Sequence, residues 1–230
     1  MNEKPIIFSS EMVRAIFAGK KKQTRRVVKG WESIIEHVEP CYHLLIRQHG
    51  VGSENFTLYS GSLGWINAEE ITRLKSPWKV GQRLWVREKC QPTDFAMIDG
   101  AIQPRSYLYA ADEMCESDYR WDSPLFMRKE ASRIKLEVTN IRLERLTDIS
   151  ASDIISEGFD VDSVESDCVD DPWGHWWHVE QAFFRHVSRV NHQHDDWATE
   201  TNPLVWVIDF ETVSIKGNAV KSSVNADCGA

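Results

Sequence analysis

Apolar and polar positions along the chain fall into a few regular stretches separated by long irregular ones. Pro5-Ile6-Ile7-Phe8 is a short apolar run that predicts a strand. Ser9 or Ser10 then caps a helix in which Met12, Val13, Ile16 and Phe17 form one stripe, at i, i+1, i+4 and i+5. Gly19 suits the left-handed position that ends such a helix, and a strand follows at Arg25 to Val28. Lys79 to Gln82 predicts a turn. Arg83 to Cys90 predicts a strand with Leu84 and Val86 on one face, Trp85 and Arg87 on the other. From Arg133 to Leu146 the pattern is clearest: Ile134, Leu136 and Val138 share even parity, then Ile141 and Leu143 take odd parity. That slip predicts a β-bulge near Thr139-Asn140.

Helices are predicted at Asp148 to Glu157, ended by Gly158, and at Trp173 to Asn191, which carries Trp177, Phe184 and Val187. Leu204, Trp206, Ile208 and Phe210 alternate through a last strand. Residues 30–79 have weak periodicity and many polar positions and read as an insertion of loops and short elements. Residues 91–125 read as a second insertion, with a strand at Tyr107 to Ala110. Residues 215–230 have no apolar face and predict a disordered tail. Separated strands, a bulge and helices at the edges point to an α+β fold built on a small mixed β-barrel. It would be one domain over 1–214 with two insertions.

Composition narrows the class. The 230 residues, 42% hydrophobic and 27% charged, are those of a globular chain, not a collagen-like or low-complexity one. No window reaches the ~18 apolar residues of a membrane span, and the N-terminus lacks an apolar signal region, so the expectation is a cytoplasmic protein with no membrane contact. Five cysteines, odd in number and never Cys-x-x-Cys, argue against a disulfide framework or a thiolate zinc site. His175 and His178 lie at i, i+3, with His192, His194, Asp195 and Asp196 beyond them, but no His-Glu-x-x-His occurs. Neither a metal nor a cofactor is expected.

Charge is unevenly spread. Against a net −8, residues 1–30 hold eight basic groups and two acidic ones, a surplus of +6. Residues 147–200 hold thirteen carboxylates and two arginines, a surplus of −11. Non-specific duplex binding over the whole surface is therefore disfavoured, while one phosphate-bearing ligand at the basic strip is not.

The basic strip, Gly19-Lys20-Lys21-Lys22-Gln23-Thr24-Arg25-Arg26, follows the first helix with the pattern G-x-K-x-x-T-x-R. It resembles the signature of the ASCH family, a branch of the PUA-like fold. Further stretches resemble phage and prophage members of that family: Pro5 to Ser9, Gly81 to Glu88, Met127 to Ile134, Leu146 to Ile149 with Glu157-Gly158, and Asn202 to Ile208. The resemblance implies a PUA-like barrel with flanking helices and a cleft for RNA or a modified nucleobase. Small bacterial relatives hydrolyse the acetyl group from N4-acetylcytidine with a Lys, a Thr and a Glu, which match Lys21, Thr24 and Glu157 here. In that chemistry Thr24 is the nucleophile, Lys21 the base and Glu157 the orienting group. A lysine serves as base only if its pKa falls from about 10.4 towards about 7–8.

Lys20, Lys22, Arg25, Arg26, Arg87 and Arg133 are candidate contacts to a nucleic-acid backbone, since guanidinium pairs bidentately with phosphate. Trp85, on one face with Arg87, is a candidate stacking platform. Three functions remain open: binding of RNA or a modified nucleoside, amide hydrolysis of a cytidine-type base, and docking of a host protein on the acidic 147–200 face.

Overall fold

The structure, a computed structural model, describes residues 3–36, 43–61, 68–98, 101–112, 120–164, 172–191, 193, 195 and 197–216. It is a mixed α+β fold. The strands are β1 (Lys4–Ile7), β2 (Gln23–Val27), β3 (His43–Gln48), β4 (Asn55–Gly61), β5 (Glu69–Lys75), β6 (Arg83–Arg87), β7 (Cys90–Ile98), β8 (Ala101–Tyr109), β9 (Ile134–Arg145) and β10 (Leu204–Ile215). The helices are α1 (Ser10–Phe17), α2 (Trp31–Ile35), α3 (Ala151–Ser156), α4 (Pro172–Val190) and α5 (Trp197–Thr201). No helix among the described residues is long and apolar enough to cross a membrane.

The main sheet has the order β1-β6-β9-β10-β2, with β1 parallel to β6 and the other pairs antiparallel. Its spine is the β9–β10 pair, and β10 is buried on both faces. Leu204, Trp206, Ile208 and Phe210 meet Val13 and Ile16 of α1 in one core, while Val205 and Val207 meet Ile154, Val179 and Phe183 of α3 and α4 in another. The parity slip in β9 coincides with a register shift: Asp209 pairs with Asn140 and Phe210 with Val138, so Thr139 is the extra residue.

The five-stranded sheet is open, unlike the barrel expected from the pattern. Its edge strands β1 and β2 are not hydrogen-bonded to each other as strands. A side chain spans the gap instead: Arg26 Nη2 on β2 donates to the Ile7 carbonyl of β1 at 2.7 Å. The split therefore has a polar crossbar where a closed barrel would have a backbone ladder.

The stretch 30–79 holds more order than its weak periodicity suggested. β3, β4 and β5 form an antiparallel sheet, and Phe56 and Leu58 of β4 are buried in the first core, Phe56 edge-on to Trp206 at 5.3 Å. Thr57 and Ser60 of β4 are buried as well, so the strand lacks the polar alternation that identifies a half-exposed one. The second insertion is a two-stranded ribbon, β7–β8, with Phe95, Met97 and Ile102 exposed. The tail expected over 215–230 lies outside the described residues from 217 onward, β10 running to Ile215.

Candidate functional site

The ends of helices α1 and α3 meet strand β10 where the site forms. Ser9 caps α1 by accepting from the Met12 amide, and Gly19, at φ 69°, ends it. The amides of Lys20 and Lys21 then both donate to the Ala15 carbonyl, at 2.9 and 3.1 Å, which wraps the chain tightly around the helix end. Lys22 ties this turn to its neighbours: its amide donates to Ser156 at the end of α3 (2.7 Å) and its carbonyl accepts from Phe210 of β10 (2.9 Å). Strand geometry begins only at Gln23, so Lys21 stands outside β2 and the odd spacing to Thr24 does not send the two to opposite sides.

The α3 end presses directly on Lys21. α3 starts with a capping box of Ser150 and Asp153 and stops at Glu157, followed by Gly158 at φ 76°. A Cβ on Gly158 would lie 2.7 Å from Ala15 Cβ and 2.8 Å from Lys21 Cβ. Only glycine permits both that backbone conformation and that approach. Lys21 Nζ consequently reaches Glu157 twice, donating to its carbonyl at 2.7 Å and to Oε2 at 2.8 Å. The Lys21 side chain is fully covered. Burial pulls its pKa down, and the Glu157 charge and hydrogen bond recover only part of that fall.

Thr24 is 1% exposed, and its Oγ1 accepts from Arg26 Nη1 at 3.0 Å. Arg26 and Lys21 share the Phe8 ring, their cationic ends 5.4 and 5.6 Å from its centroid. Arg25 turns towards carboxylates. It donates to Glu157 Oε1 (3.2 Å), Asp153 Oδ2 (3.2 Å), Glu144 Oε2 (3.5 Å) and the Gln23 amide oxygen (2.6 Å). A guanidinium ringed by three carboxylates is a poor receptor for phosphate, so the phosphate contact expected of Arg25 does not fit its surroundings.

Above these residues opens a cavity of about 850 Å³, lined on one side by Phe8, Lys21, Thr24, Arg26 and Glu157. Phe183, His186, Val187 and Val190 of α4 line it as well, together with Phe159. The size is that of a small-molecule pocket with an apolar lining and a few convergent polar groups.

The structure does not bring the other sequence candidates there. Lys20 and Lys22 are exposed beside the turn. Trp85 is 6% exposed and lies under the Arg87 guanidinium at 4.6 Å, so Trp85 is packed as core, and Arg87 donates to the Leu125 carbonyl. Arg133 is buried against Glu88 and Asp112. None of these three lines the cavity. Part of the acidic 147–200 stretch also faces inward, since Asp153 and Glu157 serve the Arg25 and Lys21 pairs. His192, His194 and Asp196 lie outside the described residues, as does the His175 side chain.

No protein-family model and no curated protein matches the chain. Among solved structures it is similar to protein EF3133 from Enterococcus faecalis V583, of family DUF984. That similarity has a TM-score of 0.38 and 10% identity over 95% of this chain and 85% of that one.

The wall from α4 is what the sequence reading missed. His186 sits half-buried with its ring edge-to-face on Phe159 at 5.8 Å, and burial pushes its pKa below the usual histidine value. Helical spacing places His186 beside Phe183 and Val187, and that stripe was the available signal.

Proposed function

We propose that this chain is an ASCH-type protein of PUA-like fold and that its cavity binds a modified nucleobase, free as a nucleoside or presented by RNA. The observation that carries this reading is the cavity at the split between β1 and β2, where Arg26 lies over Phe8 and faces an apolar helix wall. A planar base is served by such a pairing, with apolar surface for its faces and donors for its carbonyl edge. Lys21 and Thr24 lie just beneath the cavity surface, with Thr24 1% exposed and the Lys21 side chain covered. That closed arrangement favours binding over turnover.

A second reading, amide hydrolysis of an N4-acylated cytidine, draws on the Lys21–Glu157 contact at 2.8 Å and the depressed Lys21 pKa beside a threonine hydroxyl. Here Lys21 takes the Thr24 proton as Oγ1 attacks the acyl carbon, and the C–N4 bond breaks as that proton passes to the leaving amine. Water then hydrolyses the acyl-threonine to free acid, with Glu157 orienting the lysine or the leaving amine. In that case Arg26 must swing off Thr24 Oγ1 before the hydroxyl can reach a substrate.

Titration calorimetry with cytidine and N4-acetylcytidine, alongside chromatography of the incubated nucleoside, separates these. Saturable binding without deacetylation, weakened at least tenfold in Arg26→Ala, is the expected result. Deacetylation abolished in both Lys21→Ala and Thr24→Ala establishes the hydrolase instead. Failure to bind either nucleoside or a cytidine-containing RNA overturns the base-binding reading.

A further inference from the structure

The polar groups lining the cavity differ in how far they are already used by the protein. On the sheet side the polar ends are donors: Lys21 Nζ is held by Glu157, and Arg26 spans Thr24 Oγ1, the Arg25 carbonyl and the Ile7 carbonyl. The acceptors on this side, the Glu157 carboxylate and Thr24 Oγ1, are already engaged by Lys21, Arg25 and Arg26. On the helix side, α4 presents Phe183, Val187 and Val190, with His186 among them. His186 has no hydrogen-bond partner among the described residues, and its described ring contact is the Phe159 edge-to-face packing. A half-exposed imidazole that lines the cavity and packs on an aromatic ring, yet has no protein partner for its nitrogens among the described residues, leaves an acceptor for a ligand in that space.

We propose that His186 is a ligand-contacting residue of this cavity, accepting a hydrogen bond from an N–H on the edge of the bound base. The proposal rests on the base-binding reading and adds the residue that reads the ligand's donor edge. It lies on a helix outside the stretches that resemble the ASCH family, so it is a feature of this chain's own pocket.

Accepting requires a neutral ring. Burial is the main influence holding His186 neutral. The charges that face it are Glu11 of α1, Lys21 of the turn, Glu157 at the end of α3 and Arg189 on α4 itself, with the two carboxylates favouring protonation and the two cations opposing it. The balance leaves the pKa below the ordinary 6.5, so the ring accepts at neutral pH and loses its free lone pair only in acid.

The test measures cytidine and N4-acetylcytidine binding calorimetrically at about pH 7.5 and about pH 5, for wild type, His186→Ala, His186→Gln and Arg26→Ala. His186→Ala should weaken binding roughly tenfold at the higher pH. His186→Gln, which accepts a hydrogen bond but does not titrate, should keep most of the affinity and hold it in acid, where the wild type loses it. A merely structural role would not transfer the pH dependence in this way. Unchanged affinity and pH dependence in His186→Ala, with binding lost in Arg26→Ala, overturns this inference alone. Absence of wild-type binding to both nucleosides and to a cytidine-containing RNA overturns it together with the reading beneath it.

Discussion

Arg133 and Arg25 are both buried guanidiniums surrounded by carboxylates, but they face different surroundings. Arg133 is 5% exposed, forked onto both Glu88 oxygens at 2.8 and 2.9 Å, bonded to Asp112, and sandwiched between the Phe17 and Tyr109 rings at 4.8 and 4.0 Å. It joins α1, the ribbon root and the start of β9 in a closed clamp. Arg25 is 8% exposed, but its carboxylates connect outward through Glu157 to Lys21 and the cavity, and through Asp153 and Gln23 to Asp209. The same chemistry is thus used twice: once where every partner is protein, once where one side opens onto space for a ligand. Burial and ion pairing alone do not mark a binding site; an adjoining opening does.

The sharpest way to break the contrast is Arg133→Met. It strands Glu88 without its partner and should cost about 3–5 kcal/mol in urea unfolding, while Glu88→Gln added to it restores much of that loss. If nucleoside binding survives in the folded fraction, the clamp is separate from the cavity as the geometry requires.

Next in size is Gly158→Ala. The added methyl must displace Ala15 or Lys21 and adopt a left-handed backbone, so about 2 kcal/mol of stability should be lost. Unlike Arg133→Met, this variant should also weaken ligand binding, because it moves Lys21.

The smallest effect is a pH dependence. Burial pushes the Asp153 carboxyl up, but the Gln23 hydrogen bond, the Arg25 charge and Ser150 outweigh it and hold the pKa below the ordinary 3.8. A depressed carboxylate stabilises the fold above its unfolded value, and the contribution disappears as pH falls through the folded value. Asp153→Asn should therefore flatten the decline of unfolding free energy below pH 3.8, by about 1 kcal/mol or less for a carboxyl that still meets solvent. An unchanged slope would detach Asp153 from the Arg25 cluster.

Much of the sheet was legible because the pleat sorts side chains by parity, even in β10, where Val205 and Val207 fill a second core behind Leu204, Trp206, Ile208 and Phe210. Alternation through Leu204 to Phe210 and the parity slip in β9 both follow directly from the pleat. β4 was not legible, since Thr57 and Ser60 are buried with Phe56 and Leu58 and erase the period. At the site, Lys21 and Thr24 stood out because their motif is local, and Glu157 because the resemblance to the ASCH family implies a Glu there. His186 did not, because helical spacing shows which residues share a stripe but not what stands across from it. Arg133 was read as a phosphate contact for the same reason: its charge is visible in the chain, whereas Glu88 lies 45 residues away.

The strand order carries a consequence for how the molecule is made. Among the strands of this sheet, β1 and β2 are made before the others yet occupy its opposite edges, and β2 pairs with β10 alone, Val27 opposite Val205. During synthesis β2, which follows the turn bearing Lys21, waits for a strand nearly two hundred residues downstream. The pocket is therefore among the last features of the protein to exist, and a nascent chain halted before residue 204 has its motif but nowhere to place it.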